Sequence, residues 1–281
     1  MLGFLGACAP LAVAAALTAA IGCSGPRAVA VTASTLAGAD TLTGVDWLRV
    51  PAPADRALFA AVARPAGQGP FPVLVFLHGT HGFAREYVRL ARDLAREAGL
   101  VTVAGCWFAA GQGAGTRFVT SLDCPDAPAM PAAATAEALG SVGALVAAAR
   151  ALPGVRPDRV AILGQSRGGG AALHYVLERG GVRAAVLNST GYPPEVVDRA
   201  GEVSAPLLIV HGTADNPADG GSARTAIERA RAFEAALRAA GRPVEVLYFE
   251  GGRHNGLFAD SAQYDATLRR IATFLRSRLF N

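Results

Sequence analysis

A serine hydroxyl attacks well at neutral pH only when a base takes its proton, and that base works best when a carboxylate fixes its tautomer. The chain offers all three groups. Ser166 lies in Gly164-Gln165-Ser166-Arg167-Gly168, after the strand-like run Arg159-Val160-Ala161-Ile162-Leu163 and before Gly169-Gly170-Ala171-Ala172-Leu173, which reads as a tightly packed helix start. Strand, G-x-S-x-G turn and helix in succession lift a hydroxyl clear of a sheet, with glycines where a Cβ would not fit. Of the five histidines (His78, His81, His174, His211 and His254), only His211 and His254 lie well downstream of the serine. His254 follows the apolar run Val244 to Phe249 and a Gly-rich turn, and Asp215 follows the apolar run Leu207 to Val210. Ser166 is therefore expected as nucleophile, His254 as base and Asp215 as its orienting acid. Asp219 is the second candidate for the acid and His211 for the base, although His211, just before Gly212, more simply shapes the acid loop. His78 and His174 read as structural residues.

These groups need a frame that brings three strand ends together. Pro72 to Leu77 is a near-continuous apolar run, as expected of a parallel strand buried on both faces. Strands are also expected near Val45–Val50, Ala57–Arg64, Leu100–Ala104 and Ala184–Leu187. Between them, helical spacing marks residues 84–98, ending at Gly99, and an Ala-rich helix over 132–152, stopped by Pro153-Gly154. Ser222 reads as the N-cap of a helix carrying Ile227, Ala230, Phe233 and Leu237, closed by Gly241 and Pro243. Tyr264, Leu268, Ile271 and Leu275 make the stripe of a final helix. Alternating strands and helices predict an α/β domain: a mostly parallel sheet covered on both faces. Active sites of open α/β sheets form at the carboxyl ends of the strands, where Ser166, Asp215 and His254 all fall.

Four segments together resemble the α/β-hydrolase fold family, in the group around dienelactone hydrolases and the catalytic domains of prolyl oligopeptidases. They are Phe76-Leu77-His78-Gly79-Thr80, Gly164-Gln165-Ser166-Arg167-Gly168, His211-Gly212-Thr213-Ala214-Asp215 and Gly251-Gly252-Arg253-His254, and the resemblance covers roughly residues 55–281. It implies a serine hydrolase that cleaves carboxylic esters through an acyl-enzyme. It also implies an oxyanion hole made by the backbone N–H groups of Arg167 and Thr80, with His81 the neighbouring alternative to Thr80. The gap from Ser189 to Ala205 is too short for a lid domain, which predicts an open site. In the long irregular stretch from Cys106 to Pro131, Trp107 and Phe108 are candidates to line a substrate pocket, or else to pack beneath the loop.

Residues 1–23 are almost wholly apolar, and Leu11 to Ile21 reads as the h-region of a signal peptide. Gly22-Cys23-Ser24 resembles a bacterial lipoprotein cleavage site, with Cys23 lipidated and anchoring the protein to a membrane. Ordinary cleavage or a retained anchor are the other readings, and each places the domain outside the cytoplasm. Residues 24–42 read as a flexible tether, leaving 43–281 for the hydrolase domain. With Cys8 and Cys23 in the targeting segment, Cys106 and Cys124 remain. An oxidising compartment predicts a disulfide between them, the alternative being two buried thiols.

The formal net charge of +4 comes entirely from Arg, since the chain has no Lys. The arginines are scattered beside acids (Arg85/Glu86, Arg92/Asp93, Arg96/Glu97), the pattern of solvated helix faces and not of a nucleic-acid footprint. The histidines lack paired spacing such as H-x-x-x-H, and His78/His81 is only a lone close pair, so no metal is expected, and no cofactor either. The expected partner is a small or polymeric ester. A small peptidase or acyltransferase with the same triad, and a non-catalytic envelope lipoprotein, are the competing functions.

Overall fold

The computed structural model describes residues 27–31, 42–110 and 118–281. The expected signal segment, Cys8 and Cys23 lie outside the described residues, as does most of the expected tether.

Among the described residues, nine strands form one sheet in the order β1-β2-β3-β5-β4-β6-β7-β8-β9. The strands are β1 (Val29–Val31), β2 (Asp46–Ala52), β3 (Arg56–Ala63), β4 (Phe71–Leu77), β5 (Val101–Cys106), β6 (Val155–Gln165), β7 (Ala184–Asn188), β8 (Leu207–Gly212) and β9 (Val244–Phe249). From β5 through β9 every neighbouring pair is parallel, while β1, β2 and β3 add an antiparallel flank. The helices are α1 (Arg85–Ala98), α2 (Ala136–Arg150), α3 (Arg167–Glu178), α4 (Pro194–Val197), α5 (Ile227–Ala239), α6 (Gly256–Ala259) and α7 (Ser261–Leu279).

The central strands are buried where both faces are covered, β6 from Val160 to Gln165 and β4 from Pro72 to Leu77. Register shows how. Phe76 pairs with Ala104, and Leu77 with Gly105. Phe76 meets Tyr87 of α1, whereas a Cβ on Gly105 would collide with Leu145 of α2. Successive strand residues face opposite ways, so α1 and α2 lie on opposite faces. Helix α7 packs beside α1 and α3 beside α2, which completes the two outer layers.

Three expectations needed correction. Val29–Val31, placed in the flexible tether, form β1 against Trp47–Arg49, as two β-branched residues in alternation favour. The Ala-rich helix starts four residues later than its composition suggests. Thr135 acts as its N-cap, its Oγ1 accepting from Ala138 N at 3.3 Å, so residues 132–134 stay outside the helix. Ser222 caps no helix. Its Oγ accepts from Arg224 N and its own N–H is held by Thr225 Oγ1, a local turn that delays α5 to Ile227.

Candidate active site

Ser166 sits between β6 and α3 with φ of 52°, a left-handed backbone rare for a residue with a side chain. Its N–H donates to Asn188 O of the neighbouring strand at 2.8 Å. A Cβ on Gly164 or Gly168 would collide with backbone, of Gly168 in the first case and of Leu77 and His78 in the second. The glycines of the elbow are thus set by close approach of strand, helix and the loop after β4.

His254 bridges serine and acid. Its Nε2 lies 2.9 Å from Ser166 Oγ and its Nδ1 lies 2.7 Å from Asp215 Oδ2. The carboxylate can only accept, so Nδ1–H donates to it and Nε2 is left to accept the serine proton. Both residues are buried while Ser166 is half-buried. Thr225 Oγ1 donates to Asp215 Oδ1 at 2.8 Å. His211 Nε2 lies 2.6 Å from Thr225 O and 3.3 Å from Asp215 Oδ2. Both neighbours are acceptors, so Nε2 carries the proton. Burial pushes the Asp215 carboxyl up, but donors from His211, His254 and Thr225 outweigh it and hold the group below its ordinary value. His211 therefore shapes the acid loop, as its position before Gly212 suggested. Asp219 ends a 3-10 turn, Pro217–Asp219, beyond the acid.

The loop after β4 is fixed without charge. Gly79 N donates to Tyr87 Oη at 2.9 Å, and that hydroxyl lies 2.7 Å from His81 Nε2. His78 Nδ1–H donates to Gly79 O at 2.9 Å, and the His78 carbonyl accepts from Trp107 Nε1 at 2.9 Å. The rings of Phe83, Tyr87, Trp107 and Phe108 surround His78. Burial lowers the His78 pKa to about 3. Burial, with repulsion from His254, lowers that of His81 to about 4. Both rings stay neutral through the physiological range.

An open cleft of about 440 Å³ lies at the serine, lined by Thr80, Arg167, Ala133, His174, Pro193 and Arg224 among others. Thr80 and Arg167, the two expected oxyanion donors, both face it beside Ser166. Arg167 opens α3, ahead of the first intrahelical bond from Gly170 N to Ser166 O, so its N–H lies among the unpaired donors of a helix N-terminus. A second cavity, of about 430 Å³ between β2 and the end of α2, has no serine, cysteine or histidine among its described lining residues.

Trp107 and Phe108 do not line the cleft. Both are fully buried, because β5 directs them under the loop where they hold His78. His174, read as a helix or core residue, lies on helix α3, half-buried and among the residues lining the cleft. Cys106 and Cys124 form the expected disulfide, with Cα atoms 6.6 Å apart. Sequence reasoning missed Thr225, Tyr87 and Gln165. Buried Gln165 accepts from Asn188 Nδ2 and donates to His254 O at 3.4 Å, tying the elbow to the histidine loop. Its place directly before Ser166 was the available signal.

The model of the dienelactone hydrolase family matches residues 58–273. The chain belongs to that family. It is a dienelactone hydrolase-like α/β hydrolase. The human alpha/beta hydrolase domain-containing protein 17B is 29% identical over 147 residues, 46% of this chain and 45% of that protein. The match thus spans less than half of that relative. Among solved structures, a dienelactone hydrolase-like promiscuous phosphotriesterase from metagenomic libraries superposes with a TM-score of 0.64 at 19% identity, covering 84% of this chain and 99% of that one. An esterase of Pyrobaculum calidifontis gives 0.59 at 16% identity, covering 84% and 85%. At such identities the likeness is one of fold, without a separate lid domain.

Proposed function

We propose that the protein is a serine hydrolase that cleaves carboxylic esters with Ser166, His254 and Asp215. The observation that carries this reading is the hydrogen-bonded series Ser166 Oγ, His254 Nε2, His254 Nδ1 and Asp215 Oδ2, at 2.9 and 2.7 Å, on a strained strand-to-helix turn. Ser166 Oγ attacks the ester carbonyl carbon while His254 Nε2 takes its proton. The carbonyl oxygen, now negative, accepts from the N–H groups of Thr80 and Arg167. Collapse expels the alkoxide, which leaves as alcohol with the proton held by His254. Water then repeats the sequence on the acyl-serine, releasing the acid and restoring the hydroxyl. Asp215 stays ionised throughout, stabilising the imidazolium.

Small residues on one wall (Ala132, Ala133, Ala134, Gly170) and the absence of a lid domain among the described residues suit an accessible ester. Export is part of the same proposal. It is supported by the apolar run Leu11 to Ile21, by the Gly22-Cys23-Ser24 sequence and by the disulfide. The test is hydrolysis of p-nitrophenyl esters of increasing acyl length, with Ser166→Ala as control, alongside fluorophosphonate labelling. Turnover and labelling that both vanish in Ser166→Ala are expected. A folded wild-type protein that neither turns over nor labels would favour the non-catalytic lipoprotein, and amide turnover exceeding ester turnover would favour a peptidase.

A further inference from the structure

Arg167 is an odd residue for its place. A cation in the first turn of a helix opposes the helix dipole, and no acid shares that turn. Its guanidinium is half-buried, at a cost in hydration. The side chain turns back over the elbow. Nη1 donates to Pro131 O at 2.8 Å and Nε lies 3.3 Å from Thr80 Oγ1. One side chain thus spans three pieces of the cleft: the nucleophile elbow, the oxyanion loop and the segment leading into the wall at Ala132–Ala134. Thr80 itself is exposed, and the bonds that fix its loop, at His78, Gly79 and His81, all fall on its neighbours.

We infer that the Arg167 side chain is a positioning residue, a clamp that locks the Thr80 amide in register with the Arg167 amide. The hole is then preorganised from both ends by one residue, its backbone giving one donor and its guanidinium placing the other. Donors aimed beforehand at the developing negative charge act mainly on the transition state. The fork geometry matters, since an ammonium is a single point and cannot reach two acceptors in the same way.

This inference rests on the serine-hydrolase reading above. The test compares wild type, Arg167→Lys, Arg167→Met, Thr80→Val and Arg167→Lys/Thr80→Val in the full chain. The measurements are kcat and KM on one p-nitrophenyl ester, inhibition by an alkyl boronic acid, and Tm. Partial loss of one preorganised donor is expected to lower kcat of Arg167→Lys by about 10- to 100-fold, with KM within about twofold. The boronic acid, which mimics the tetrahedral adduct, should weaken by about the factor lost in kcat/KM. Because both ends act through one contact, the double variant should lose much less than the product of the two single losses. Unchanged kcat, a loss confined to KM, or fully multiplicative single losses would overturn the clamp. If Arg167→Met does not fold, the Lys and Val variants decide alone. A wild type inert to esters and to fluorophosphonate sinks the parent reading too, whereas an active wild type with unaffected variants sinks only the clamp.

Discussion

The loop from His78 to Phe83 and the loop from Asp215 to Thr225 both converge on Ser166, but different chemistry holds them. The first is wrapped in aromatic rings and joined by bonds between neutral groups. The second is organised around one carboxylate that accepts from His254, Thr225 and His211. The first loop fixes the position of a backbone amide, and the second fixes a charge. Damage to the second should therefore appear mostly in rate, and damage to the buried supports of the first, such as Tyr87, mostly in stability.

The sharpest break is Asp215→Asn. It preserves shape but offers His254 the wrong hydrogen-bonding partner, so kcat should fall by about 1,000- to 10,000-fold with little change in Tm. Activity that survives would transfer the acid role to Asp219. Next is the disulfide that anchors the chain beside Trp107. Replacing Cys106 and Cys124 by Ala should destabilise by roughly 3 kcal/mol in urea unfolding, with kcat affected less than stability. Tyr87→Phe comes third. It strands the Gly79 N–H in a buried site and should cost about 1–3 kcal/mol. A rate loss as large as that of Asp215→Asn would erase the contrast between the loops.

A further effect is in pH. His78 and His81 have folded pKa values of about 3 and about 4, against an ordinary 6.5. The unfolded chain therefore binds more protons below pH 6.5, and stability falls as pH drops from there towards those values. The loss approaches about 1.4 kcal/mol per pH unit for each histidine. Asp215, held below its ordinary value, remains ionised over most of that window and adds its own loss as pH falls from its ordinary value through its folded one. His78→Phe should flatten the acid branch of a stability–pH curve measured by urea unfolding. An unchanged curve would assign that branch to other groups.

The parts legible in the sequence share a property: their residue types are dictated by local backbone. Gly164 and Gly168 announce the elbow around Ser166 because their neighbours leave no space for a Cβ. The apolar runs announce buried strands because both faces are covered. Asp215 and His254 were placed by strand ends, which periodicity reveals. Trp107 and Phe108 stayed open between pocket and packing because sequence does not say which side of a loop is wet, and the structure gives the packing. His174 lies on a helix as read, but a helix stripe does not show where a cleft opens, so its place at the cleft was not legible. Thr225 was hidden behind the reading of Ser222 as a helix cap. The role of the Arg167 side chain needs Thr80 and Pro131 together, and no spacing along the chain brings those to mind.

The bond from Ser166 N to Asn188 O has a reach beyond the elbow. It belongs to the lateral ladder of β6 and β7, and buried Gln165 joins the same asparagine to the histidine loop. A slip of one residue between these strands would turn Gln165 and Asn188 out of their shared layer and misdirect the nucleophile. Placement of Ser166 is thus inseparable from correct pairing of the central strands. Under the proposed function, a covalent serine probe applied to a refolding or stressed sample would report the fraction of molecules in which those strands are correctly paired.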